Sequence, residues 1–229
     1  MLHKERTRGL IRRSLVLNKL YCSIRYIYTW YYKQKSLKHS IYSNKGFGGL
    51  KRDIIGRNNS IYIGENTRLS KLKIRIRGNS NSVIIKDGCA FGPDCSLWLE
   101  GNNITIVIDS GCTFTMRCHL NAQEDNSQIS IGKDCMFSNH IIVRTSDSHP
   151  IYDLKTKERL NNPEHVIIGD HVWIAPNTKI MKGSVIPNGC IIGSDTTTTK
   201  AFTQENAMIV GRPAKVIKTD VEWTREHLF

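Results

Sequence analysis

The sequence predicts an all-β solenoid, a parallel β-helix of triangular cross-section, and three observations point to it. A hexad recurs in register: an aliphatic residue or Phe, often Gly or Asp next, two polar residues, a small residue and one variable position. It reads "IGENTR" (63–68), "IKDGCA" (85–90), "FGPDCS" (91–96), "IDSGCT" (108–113), "FTMRCH" (114–119) and "IGKDCM" (131–136). It returns as "IGDHVW" (168–173), "IAPNTK" (174–179), "IPNGCI" (186–191) and "IGSDTT" (192–197). Self-similarity at a fixed period marks a stacked architecture. Over the hexad runs a longer period: Ile63, Ile85, Ile108 and Ile131 are 22 or 23 residues apart, and "GNSNS" (78–82), "GNNIT" (101–105) and "EDNSQ" (124–128) recur between them. Three hexads and a turn of about five residues fill that period, giving three short strands per coil with a small residue at each corner. The third observation is negative: the hexads lack a 3.6-residue period and carry Gly and Asn in mid-segment, which disfavours helix.

The N-terminal segment reads differently. A chain of 229 residues holds one sizeable domain and an appendage. Of its net charge of +13, residues 1–50 supply +10, from eleven Lys or Arg against one acid, Glu5. Leu10, Leu17, Tyr21, Ile24, Tyr28 and Tyr31 fall at helical spacing among Arg12, Arg13, Lys19, Arg25 and Lys33. Residues 1–50 are therefore expected to form a basic amphipathic helical extension, residues 55–218 the solenoid and residues 219–229 a C-terminal tail. Such a helix, with Trp30 among its cations, suits an anionic membrane surface through residues 1–40, an anionic polysaccharide, or packing across an assembly. No nucleic-acid recognition module accompanies the charge, so no nucleic-acid partner is expected. No 18-residue uncharged apolar stretch predicts a transmembrane helix, and no small-residue cleavage site predicts a secretory leader.

The cysteines belong to the repeat. Cys89, Cys95, Cys112, Cys118, Cys135 and Cys190 all occupy the fifth position of a hexad, and only Cys22 lies outside. A thiol is a compact apolar filler. Without CxxC pairs or histidine clustering, these six are assigned to the core and no metal site is expected.

Between "FSNHIIV" (137–143) and "VIIGDHVWIAPN" (166–177) the hexads stop. The polar intruder, residues 144–165, is expected to leave the prism as a protruding loop, and long loops in tight repeats tend to carry function. Within it stands "RTSDSHPIYD" (144–153). Pro150 restricts His149 to extended geometry. Asp147 is placed to bond an imidazole nitrogen or its own loop backbone. Histidine takes and returns a proton near neutrality, which suits it to general acid–base work. Arg144 and Asp147, at the root of the loop, are the candidate acceptor-binding residues.

The repeat resembles the left-handed parallel β-helix, hexapeptide-repeat acyltransferases, over about residues 55–218. Handedness is implied by the resemblance, since parallel crossovers are normally right-handed. The family's catalytic pair is a loop histidine and a tryptophan 24 residues later. The resemblance thus implies that His149 is the general base and that Trp173, in "HVWIAPN", positions acetyl-CoA and substrate. "IGSDTTTTKAF" (192–202) and "MIVGRPAKVIK" (208–218) resemble the family's coenzyme A end. There Ala175, Ser194 and Thr199 would line the pantetheine arm, Lys200 would lie nearby, and Lys215 and Lys218 would meet the nucleotide phosphates. His119, His140, His165 and His171 lack this context and are read as structural or solvent-exposed.

The block "TSDSHPIYD…KERLNN…VIIGDHVWIA" is similar to bacterial O-acetyltransferases of surface polysaccharides, especially sialic-acid-containing capsules. Thr199 departs from that group, some of which carry an aromatic there. The resemblance implies an acetyl-CoA-dependent O-acetyltransferase acting on a sugar hydroxyl without a metal. It also implies a homotrimer with sites between prisms, in keeping with a flat face offering no pocket of its own. The cytoplasm, or the inner face of the membrane, is the expected location because the acetyl donor is there. Competing readings are an acetyltransferase for a small acceptor (a nucleotide-linked amino sugar, serine or an antibiotic), a zinc carbonic anhydrase on the same prism, and a non-enzymatic scaffold. The zinc reading needs three converging histidines, which the spacing of His119, His140 and His149 fits poorly.

Overall fold

The computed structural model describes residues 40–43 and 49–228. The helical extension expected over 1–50 therefore lies outside the described residues, except for Ser40–Ser43 and Gly49–Leu50. The rest is a left-handed parallel β-helix whose short strands stack into three sheets of seven, seven and eight strands. Sheet I contains Ser40–Ser43, Ser60–Ile63, Ser82–Ile85, Thr105–Ile108, Gln128–Ile131, Val166–Ile168 and Val185–Ile186. Sheet II contains Leu50–Ile55, Leu72–Arg77, Ser96–Glu100, His119–Gln123, Ile142–Arg144, Lys179–Ile180 and Thr197–Thr198. Sheet III runs from Arg68–Leu69 through Ala90–Phe91, Thr113–Met116, Met136–Asn139, Trp173–Ile174 and Ile191–Ile192 to Met208–Gly211, and closes on Ala214–Lys218. All pairings are parallel except that last one, which is antiparallel.

Alternation within each strand builds the core. In "LKIRIR" (72–77) Leu72, Ile74 and Ile76 are buried while Lys73, Arg75 and Arg77 face outward. Because coils pair in register, each inward residue lands on its counterpart: Val83 on Ile106, Ile106 on Ile129, Ile129 on Val166. Phe91, Phe114 and Phe137 stack along sheet III with centroids 4.5 and 4.4 Å apart, a geometry that adds about 0.5–1.5 kcal/mol per pair beyond area burial.

The corners explain the rest of the repeat. All six fifth-position cysteines are buried and free. Several donate to a carbonyl of the next coil: Cys112 Sγ to Gly132 O at 3.0 Å, Cys135 Sγ to Gly169 O at 3.1 Å, Cys118 Sγ to Ser138 O at 3.0 Å. Neighbouring thiols and burial push Cys89, Cys112 and Cys118 up, so they stay protonated donors. At the longer turn, buried Asn81 takes the side-chain oxygen of Asn59 on its own N–H and passes its oxygen to Ile104 N, both at 2.9 Å. Gly78 opens that turn at φ +127°, where a Cβ would stand 1.8 Å from the Gly101 carbonyl oxygen. Only glycine fits there.

Strand structure starts before residue 55, at Ser40–Ser43 and Leu50–Ile55. "LKRDII" carries three charges and shows no hexad, and its Lys51 and Arg52 are exposed. The break at 144–165 leaves the stack intact, since Ile129–Ile131 of one coil pairs directly with Val166–Ile168 of the next.

Candidate active site

The loop leaves sheet II at Arg144 and rejoins sheet I at Val166. Its root is braced from the coils on either side. Asp147 Oδ2 lies 2.8 Å from Lys182 Nζ, and Lys182 also donates to Asn162 O at 3.1 Å. Buried Asn161 holds both limbs: its Nδ2 donates to Asp147 Oδ2 at 3.0 Å and to the His149 carbonyl at 2.9 Å, while its Oδ1 accepts Ile151 N–H at 2.6 Å. Arg159 forks onto Glu124, Nη1 to Oε2 at 2.5 Å and Nη2 to Oε1 at 2.8 Å. Ser146 donates to the same carboxylate. Arg144 Nη2 donates to Ser148 Oγ at 2.6 Å and Gln123 Oε1 at 3.2 Å. The bonds from Lys182 and Asn161 hold the Asp147 carboxyl below the ordinary aspartate value. Arg159 does the same for Glu124, against a smaller opposing effect of burial.

This bracing offers the His149 side chain to solvent. Asp147, read as a possible partner of the imidazole, is engaged instead by Lys182 and Asn161, and the loop backbone is held through Asn161. Beyond His149 the loop narrows to a hairpin-like tip, with a Tyr152–Arg159 bridge and exposed Ile151, Tyr152, Leu154 and Leu160.

Trp173 heads the coil after the loop. It stands on the outer side of sheet III between Met136 and Ile191 in register, and its buried Nε1 has no hydrogen-bond partner. Within one protomer no hydrogen bond or ring contact links it to His149 among the described residues. Ala175 is buried where the chain leaves sheet III, and Ser194, exposed, occupies the same corner one coil on. Thr199 and Lys200 lie at a different corner, where the chain leaves sheet II; Lys200 Nζ sits 5.4 Å over the Phe202 ring. Lys215 and Lys218 are exposed on the antiparallel strand that ends sheet III. Lys215 and Lys218 are exposed cations of the kind that meet phosphates, while Thr199 and Lys200 stand apart from Trp173 at another corner. Among the described residues no group of His, Cys, Asp or Glu is arranged to hold a metal ion.

Sequence reasoning missed Lys182, Asn161, Gln123 and Glu124. Asn161 and Arg159 lay within the quoted "KERLNN" segment, but nothing in that segment says which coil it returns to.

The stacked-hexad prism is the fold of the left-handed β-helix acyltransferases. Residues 165–200 match the family model described as bacterial transferase hexapeptide (six repeats). The polysialic acid O-acetyltransferase of Neisseria meningitidis is 37% identical over 180 residues, 76% of this chain and 79% of that protein. The chain belongs to the hexapeptide-repeat acyltransferase family, alongside the polysialic acid O-acetyltransferases, and is an O-acetyltransferase. The crystal structure of the polysialic acid O-acetyltransferase OatWY superposes with a TM-score of 0.73 at 34% identity, covering 83% of this chain and 89% of that one. That of the polySia-specific acetyltransferase NeuO gives 0.63 at 26%, covering 81% and 86%.

Proposed function

We propose that the protein transfers the acetyl group of acetyl-CoA to a hydroxyl of a sialic-acid-containing capsular polysaccharide, with His149 as general base. The observation that carries this reading is the loop: charge-assisted bonds at its root fix a backbone whose histidine side chain is left exposed. Acetyl-CoA supplies an activated thioester carbonyl. The imidazole of His149 accepts the proton of the sugar hydroxyl as its oxygen bonds to that carbonyl carbon. The imidazolium then returns the proton to the departing thiol, so one C–O bond forms, one C–S bond breaks, and the base is regenerated. Trp173, Ala175, Ser194, Thr199, Lys200, Lys215 and Lys218 hold the donor, and Arg144 and Asp147 border the acceptor.

The site forms between protomers of a homotrimer. His149 belongs to the loop at the sheet II–I corner and Trp173 to sheet III, and the exposed apolar tip at Ile151, Tyr152, Leu154 and Leu160 suits a neighbouring protein surface. The supply of acetyl-CoA places the reaction in the cytoplasm, and residues 1–40 bring it to the inner membrane face.

The test is thiol release from acetyl-CoA with polysialic acid, free sialic acid and neutral glycans as acceptors. Release is expected with the acidic polymer and lost in His149→Ala. Equal release with every acceptor would remove the polysaccharide assignment, and near-normal turnover in the variant would remove the mechanism.

A further inference from the structure

Beside Trp173 the C-terminal tail is tied down by an arrangement the proposed chemistry does not use. Trp223, 5% exposed, lies flat on His171 with ring centroids 4.1 Å apart and planes within 8°. Its ring stands 6.1 Å from that of Trp173, tilted by 46°. Trp223 Nε1 donates to the His171 carbonyl at 2.9 Å. The imidazole reaches both ways, with Nδ1 2.7 Å from Asp134 Oδ2 and Nε2 3.0 Å from the Trp223 carbonyl oxygen.

A carboxylate and a carbonyl only accept. The ring nitrogens of His171 are thus the only possible donors in these two contacts. Burial pushes the Asp134 carboxyl up, but the bonds from His171 and Arg225 outweigh it and keep the group below its ordinary range. Arg225 is the second anchor: Nε donates to Asp134 Oδ1 at 2.6 Å, Nη1 to Thr113 Oγ1 at 3.0 Å, and Nη2 to the carbonyls of Asp134 and Cys135 at 3.1 Å. Asp220 and Glu222 line the hollow beside His171, and Lys133 offers its backbone carbonyl to His171 N at 2.7 Å.

We propose that Trp223 is a positioning residue for the acyl donor: latched on His171, it forms the third side of the seat that Met136 and Ile191 begin around Trp173, and holds that ring's unpartnered Nε1 in place for coenzyme A. The inference rests on the reading of Trp173 as a donor-site residue.

The experiment is calorimetric titration of the full chain with coenzyme A, which does not turn over. Wild type, Trp223→Ala, Trp223→Phe, His171→Gln and Trp173→Ala are compared. Trp223→Ala is expected to weaken binding about three- to tenfold, the scale of one lost aromatic pair. Trp223→Phe keeps the stack and the residue 223 carbonyl, so it should bind within about threefold of wild type. His171→Gln removes the ring on which Trp223 lies and should weaken binding as Trp223→Ala does. In turnover, Trp223→Ala should raise KM for acetyl-CoA and leave KM for the polysaccharide unchanged. Wild-type affinity in Trp223→Ala and His171→Gln, with Trp173→Ala defective, would overturn the latch alone. Wild-type binding in Trp173→Ala would overturn the donor-site reading and the latch with it. Should Trp223→Ala fail to fold, Trp223→Phe and His171→Gln decide the matter.

Discussion

At the scale of single residues, His149 is exposed and the buried Nε1 of Trp173 has no hydrogen-bond partner. Replacing His149 with Ala is expected to lower kcat by about 10²–10⁴-fold, the usual worth of a positioned base, while coenzyme A still binds by calorimetry. The bracing pair predicts a different signature. Lys182→Met and Asp147→Asn should each lower kcat/KM for the polysaccharide, by about tenfold if the pair is worth about 1.4 kcal/mol, and the double variant should be no worse than either alone. Additive losses in that cycle would mean that the two act separately. His149 and Trp173 are singled out through the family resemblance, which pairs a loop histidine with a tryptophan 24 residues later. Lys182, Asn161 and Glu124 could not be read from the sequence: Lys182 and Glu124 reach their loop partners across a coil from 20 to 35 residues away, Asn161 reaches 10 to 14 residues back along the loop, and a polar side chain leaves no periodic trace of the neighbour it will meet.

At the scale of elements, the loop and the asparagine turn rest on different chemistry and should fail differently. The Asp147 and Glu124 carboxyls have folded values below their ordinary 3.8 and 4.5. Stability from such depressed groups is present in full above the ordinary values and disappears as pH falls through the folded ones. Activity lost through loop release should therefore appear only below about pH 4, read as protease cleavage within 144–165 before the circular dichroism of the sheets changes. The bonds at Asn59 and Asn81 are made by amide side chains, so this part of the turn should be sensitive to truncation. Asn81→Ala strands Ile104 N and the Gly101 carbonyl and is expected to cost about 1–3 kcal/mol by denaturant titration. The recurrent "GNSNS" and "GNNIT" segments marked these turns in the sequence. The direction of their bonds was not legible, because it depends on coil-to-coil stacking.

For the whole molecule, the repeat made the architecture readable, since every coil restates the same inward aliphatic and small corner. The first coil escaped notice for the converse reason, with charge in "LKRDII". The arrangement of protomers can be tested by mixing defects. If each site takes His149 from one copy and Trp173 from its neighbour, co-assembled His149→Ala and Trp173→Ala chains should recover about a quarter of wild-type activity, the fraction of boundaries with both groups intact in a random mixture. No recovery in assemblies shown to be mixed would place the whole site within one chain.

A stack of parallel coils has no inherent last member, because each bare rim is a template for another strand. Here the chain turns back after Gly211 and lays Ala214–Lys218 antiparallel along the final rim, with Lys215 and Lys218 on its exposed side. That reversal does for sheet III what a selvedge does for cloth: its outermost strand is antiparallel and cationic, a poor template for a parallel strand of another copy.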